Sequence, residues 1–105
     1  MAKPHSKERR EEFRDILLKF TPNVYFQVPE SVKMKYPAIK YESNGWRDQY
    51  ASNSRYMMKD EYLVTIIDRV PDSKIVELMQ SLPYCRFDRV YKSNNLYHTV
   101  FVVKY

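Results

Sequence analysis

The residues best suited to chemistry in this 105-residue chain are few: one cysteine, Cys85, and two histidines, His5 and His98. Cys85 and His98 fall on strand-like segments either side of a short polar turn, a placement that could set a thiolate against an imidazole. A metal centre needs three or four ligands of suitable type. Nucleophilic catalysis needs a nucleophile, a base and an orienting group. Two residues supply neither, and an ordinary strand histidine beside a small, partly apolar thiol is the better account. A single cysteine also excludes an intramolecular disulfide. Loops that cradle phosphate need several glycines for close backbone approach, and Gly45 is the only one, so Walker and Rossmann loops are excluded. Asp60 and Glu61 are adjacent and point to opposite faces of a regular strand, as solvated strand-end charges would. The expectation is a non-enzymatic protein without metal or cofactor.

Nucleic-acid binding has more support. Arg86, Arg89 and Lys92 lie among Tyr84, Phe87 and Tyr91, mixing positive charge with stacking surfaces as single-strand binders do. In a regular strand, however, Phe87, Arg89 and Tyr91 share one face, while Arg86, Asp88, Val90 and Lys92 share the other. Neither face is then purely basic and aromatic, and cross-strand pairing on a sheet surface accounts for the pattern. The net charge of +5 is spread along the chain: residues 1–20 hold six basic and four acidic groups. Such dispersal fits a solvated surface better than a binding stripe.

The elements that would position these residues follow from periodicity. Phe13, Ile16, Leu17 and Phe20 form one apolar stripe, predicting a helix over 6–20 with Ser6 as its cap and Thr21-Pro22 as its stop. Its first half is almost wholly charged and could project until a neighbour covers it, although the apolar stripe favours packing on the chain's own sheet. Residues 24–28 and 38–41 read as strands, with Pro29 ending the first and Pro37 marking an edge or first position of the second. Residues 42–54 are polar, aperiodic and glycine-containing, and read as a long loop, of a length that is usually functional or mobile. Residues 56–67 read as a central strand, apolar on both faces. Asp72 is the expected cap of a second helix through Leu82, with Ile75, Leu78, Met79 and Leu82 on its stripe. Two strands, 85–92 and 97–104, close a hairpin through Ser93-Asn94-Asn95, because asparagine tolerates left-handed turn conformations.

The order α-β-β-β-α-β-β predicts one α+β domain over 1–105, with two helices packed on a mostly antiparallel sheet of four to five strands and residues 1–5 flexible. Ten tyrosines and five phenylalanines suit a thin core, an interface, or both. No apolar run is long enough to span a bilayer, and the N-terminus runs into charged helix rather than a secretory apolar stretch. Manufacture and use in a cytoplasm fit these features.

Read as a string, residues 36–105 resemble a family of small head–tail joining proteins from tailed bacteriophages and prophages. The segments that carry the likeness are YPAIKY (36–41), YLVTIIDRVPDS (62–73), LPYCRFDRVY (82–91) and NNLYHTVF (94–101). They are similar in element order to tail terminator and tail-completion proteins. The resemblance implies a virion protein of the neck, assembled in the host cytoplasm. It implies a homo-oligomeric ring, commonly a hexamer, that caps the tail tube protein and meets the head connector or head-closure protein. Non-specific DNA contact in the lumen and no membrane association go with it. Candidate subunit or partner contacts are then Arg10 and Arg14 on the first helix, and Trp46, Arg47, Tyr50 and Tyr56 in and beside the loop. Arg86 and Arg89 on the hairpin complete the set. The rival from another class is a small nucleic-acid-binding accessory protein.

Overall fold

A computed structural model describes residues 7–28, 33–51 and 54–105, with the side chains of 45–59 left undescribed. Helix α1 (Lys7–Leu18) is followed by β1 (Val24–Phe26), β2 (Ala38–Ala51) and β3 (Ser54–Asp68). Helix α2 (Lys74–Gln80) precedes the hairpin β4 (Cys85–Ser93) and β5 (Leu96–Lys104). The five strands form one mixed sheet in the order β1-β2-β3-β5-β4. Among the described residues only β1–β2 is parallel; the other pairings are antiparallel. The α+β class, the element order and the central place of β3 agree with the sequence reading.

Both helices pack on the same face of the sheet. Phe13 and Leu17 of α1 join Ile75 and Met79 of α2 over Ile39, Tyr41, Tyr62, Val64, Ile66, Phe101 and Val103. Aromatic rings organise the centre: Phe13 stacks on Tyr62 with centroids 4.5 Å apart and meets Tyr41 edge-on at 5.8 Å. Burial pushes both phenols above their ordinary range, Tyr62 to about 12, with the Asp60 charge adding to the effect on Tyr62. The opposite face carries Ala38, Thr65, Ile67, Val100 and Val102, all buried, as their register partners show.

Several boundaries move for local reasons. Ser73, not Asp72, caps α2: it is extended (φ −62, ψ 138), and its hydroxyl oxygen accepts from the Ile75 amide at 3.3 Å. The helix stops at Gln80, and Leu78 is exposed while Ile75 and Met79 are buried, so the apolar stripe is narrower than its composition suggests. The first strand ends at Phe26 because Gln27 turns left-handed, at φ 45. Pro37 precedes the first residue of β2, which lies inside the sheet; Ile39 donates to the Asn23 carbonyl, and Gln27 to that of Tyr41. The Asn94-Asn95 turn has both residues at positive φ, 54 and 62, the two-residue hairpin geometry that matches strand twist. The proposed Ser6 cap, the Pro29 stop and residues 1–5 lie outside the described residues.

Candidate interaction site

The largest departure from expectation is the segment 42–54. It is no loop: β2 continues to Ala51 and β3 begins at Ser54. β1 pairs with β2 only as far as Tyr41, and β5 pairs with β3 only from Glu61 onward. Beyond those points, among the described residues, β2 and β3 pair with each other alone, from Trp46↔Asp60 to Ala51↔Ser54. The result is a two-stranded arm about 20 Å long, at about 3.3 Å per residue, on a chain whose principal extents are 47 × 23 × 22 Å. The segment is polar and lacks the apolar–polar alternation by which a strand is read from sequence, so its strand character does not show in periodicity. Trp46, Arg47, Tyr50 and Tyr56 all belong to this arm; their side chains lie outside the described residues.

The arm starts at an irregularity. Between Ser43↔Tyr62 and Trp46↔Asp60 the register shifts, leaving Asn44 and Gly45 opposite Glu61. This is where the only glycine sits, at a point where an extra residue must bend the strand. Asn44 donates from Nδ2 to Glu61 Oε2 at 2.7 Å. Asp60 and Glu61 are each 5 % exposed. The expectation of solvated strand-end charges is therefore wrong: the end of the β5 pairing is the middle of β3.

The first turns of α1 do not project. Arg9, absent from the sequence-based candidates, is buried and donates from Nε and Nη2 to the Tyr105 carbonyl oxygen at 3.2 and 3.1 Å. Its guanidinium lies 4.7 Å from the centroid of the Tyr105 ring. Tyr105 also donates its hydroxyl proton to Glu12 at 3.0 Å, and its amide to the Asp60 carbonyl at 2.9 Å. Burial, then that hydrogen bond, raises the Tyr105 phenol. An arginine among Glu and Arg neighbours carries no sequence mark of burial, which is why Arg9 was missed. Of the named candidates on this helix, Arg10 stacks 4.7 Å above the Phe26 ring, and Arg14 pairs with Glu11 at 3.7 Å and Asp15 at 3.2 Å.

Beside this clamp an apolar groove of about 220 Å³ runs between α1 and the hairpin, lined among others by Phe13, Ile16, Leu82, Tyr84 and Tyr105.

Strand β4 is the opposite case. It occupies the sheet's edge, and every residue from Arg86 to Ser93 is exposed. Tyr84, Phe87, Val90 and Tyr91 are 52, 52, 56 and 44 % exposed. The register shifts at Asp88: Phe87 pairs with Phe101, but Arg89 pairs with Val100. That bulge reverses the alternation. Phe87 stays on the helix side, where it meets Phe101 edge-on at 5.9 Å, and Val90 joins it there opposite Thr99. Arg86, Arg89 and Tyr91 share the other face, where Tyr91 stacks on His98 with centroids 4.7 Å apart. The regular-strand assignment of Phe87, Arg89 and Tyr91 to one face is thus corrected by one inserted residue. Arg89 pairs with Asp88 at 2.6 Å.

The hairpin does not bring Cys85 and His98 together. Cys85 pairs with Val103 and His98 with Tyr91, five residues apart along β5, about 17 Å. Cys85 is a free thiol whose pKa burial pushes up, which disfavours the reactive thiolate. Among the described residues, no group of three or more His, Cys, Asp or Glu is placed to hold a metal ion. No described helix is long and apolar enough to cross a membrane. Neither the protein-family models nor the curated proteins compared with this chain match it.

Proposed function

We propose that the protein is a ring-forming structural component of a tailed-phage neck, a tail terminator that caps the tail tube and joins it to the head connector. The observation that carries this reading is the arm. An isolated two-stranded ribbon is marginal in water, so a segment of this kind is best explained as one that completes its packing against a neighbour. The molecule offers two unlike surfaces for head-to-tail contact, the arm and the apolar groove bordered by Tyr105. Heterologous contacts of that type make rings where the rotation between subunits closes. The resemblance of residues 36–105 to head–tail joining proteins gives the reading its place in the virion. A tail-completion or head-closure role uses the same surfaces.

The test combines composition and stoichiometry. Mass spectrometry of purified particles is expected to find the chain, and native mass spectrometry of chain mixed with tail tubes is expected to count a closed ring. A chain absent from particles and monomeric with tubes overturns the reading.

A second reading, a nucleic-acid-binding accessory protein, gains from the β4 bulge, which places Arg86, Arg89 and Tyr91 on one face. It requires single-strand binding that weakens steeply with salt and is lost in Arg86→Ala/Arg89→Ala.

A further inference from the structure

The edge of β4 has a property that neither reading uses: its sequence complements itself. We propose that β4 pairs antiparallel with β4 of a second copy about a two-fold axis between Asp88 and Arg89, joining two five-stranded sheets into one.

Edge strands expose a row of backbone donors and acceptors that template pairing with another chain, and natural sheets blunt them. β4 is nine residues long, proline-free and exposed, and apolar at Phe87 and Val90 on one face. Pairing identical edges about a two-fold axis normal to the sheet keeps the helices of both copies on the same side. Facing residues must then come from the same face of β4.

The bulge and the charges select among registers. With the axis between Asp88 and Arg89, Asp88 of each copy opposes Arg89 of the other. Phe87 meets Val90, both on the helix side, and Arg86 meets Tyr91, both on the open side. The register also sets Cys85 against Lys92, again on one face. Two ion pairs, two apolar pairs and two cation–aromatic pairs result, each a favourable cross-strand combination. An axis on Phe87 sets Cys85 against Arg89, which lie on opposite faces. An axis between Phe87 and Asp88 opposes Arg86 to Arg89. An axis on Asp88 opposes two carboxylates. An axis on Val90 sets Asp88 against Lys92 but opposes Phe87 to Ser93, from different faces. In an unbulged strand the favoured register would oppose residues of unlike face, so the inserted residue is what makes the edge self-complementary. This contact is isologous and separate from the head-to-tail contact of the arm, so its failure leaves the ring reading standing.

A single edge pairing buries less than the ~1,200 Å² of a stable interface, so association in the micromolar range is expected. Sedimentation velocity on the full chain from about 1 to about 500 µM tests it. The weight-average mass should rise toward twice that of the chain. Asp88→Arg and Arg89→Asp should each weaken dimerisation about tenfold or more, because like charges then oppose. The double variant Asp88→Arg/Arg89→Asp should restore it to within about threefold, and melting curves should show that all three variants fold as the parent does. A parent chain that stays monomeric over the whole range overturns the proposal. So does dimerisation indifferent to the single variants, or lost in Asp88→Arg and not regained in the double, as an axis on Val90 would give.

Discussion

The two ends of the chain's aromatic and arginine inventory meet opposite fates. At the helix-covered end, Arg9, Phe13, Tyr62 and Tyr105 form a closed cluster in which a guanidinium lies on one ring and two others stack. At the β4 edge, Arg86, Phe87, Arg89 and Tyr91 are exposed. The residue types are the same, and so is their local mixing with acidic neighbours. What differs is how many layers reach them. The Phe13 ring lies between its own helix and the sheet, against Tyr41 of β2 and Tyr62 of β3, whereas β4 has a strand neighbour on one side only. A Phe or an Arg becomes structural when tertiary neighbours remove water from it, and is available for contact when they do not.

That contrast can be broken most forcefully at the two phenylalanines. Phe13→Ala is expected to cost about 3–5 kcal/mol in denaturant unfolding, since a fully buried ring leaves a cavity among Tyr41, Tyr62 and Tyr105. Phe87→Ala, from a half-exposed site, should cost about 1 kcal/mol or less. Equal losses would mean that β4 is packed as deeply as the centre.

Titration sharpens the same contrast. The Tyr62 phenol is raised from its ordinary value near 10 to about 12 in the fold, chiefly by burial. The neutral form is the one the fold favours. Its contribution is complete below about pH 10 and is lost as pH rises through about 12, a span on the order of 2–3 kcal/mol. Unfolding followed against pH, with phenolate absorbance as the monitor, should show this loss in the parent and a smaller one in Tyr62→Phe.

The two arginines make the smallest comparison. Arg9→Ala removes two hydrogen bonds to the Tyr105 carbonyl and the ring contact, an expected loss of about 1–3 kcal/mol. Arg89→Ala should stay within about 0.5 kcal/mol, because its pair with Asp88 is solvent-screened. Both are measured by urea unfolding, and a large effect at Arg89 would contradict the open-edge assignment.

The elements with strong periodicity were legible: α1 from its stripe, β3 from its two apolar faces, the β4–β5 hairpin from Asn94-Asn95. The arm was hidden because its polar, aperiodic sequence carries no apolar–polar alternation from which a strand is read. The β4 faces were misassigned because a bulge is a property of pairing between strands, and nothing at Asp88 marks it in one strand alone. Adjacency in sequence shows neither the burial of Asp60 and Glu61 nor the Asn44 donor to Glu61 seventeen residues away. The candidate contacts were therefore found by residue type, while their grouping onto an arm, a clamp and an edge came only with the register.

The bulge at Asn44-Gly45 gives the arm a mechanical character. With the hydrogen bond from Asn44 to Glu61 holding its base, the ribbon is a lever whose fulcrum is the one residue in the chain without a side chain. A rotation of about 10° there sweeps the far end of a ~20 Å ribbon through about 3.5 Å. In the ring proposed above, that reach would take up small differences in spacing between subunits while the rest of the sheet stays fixed.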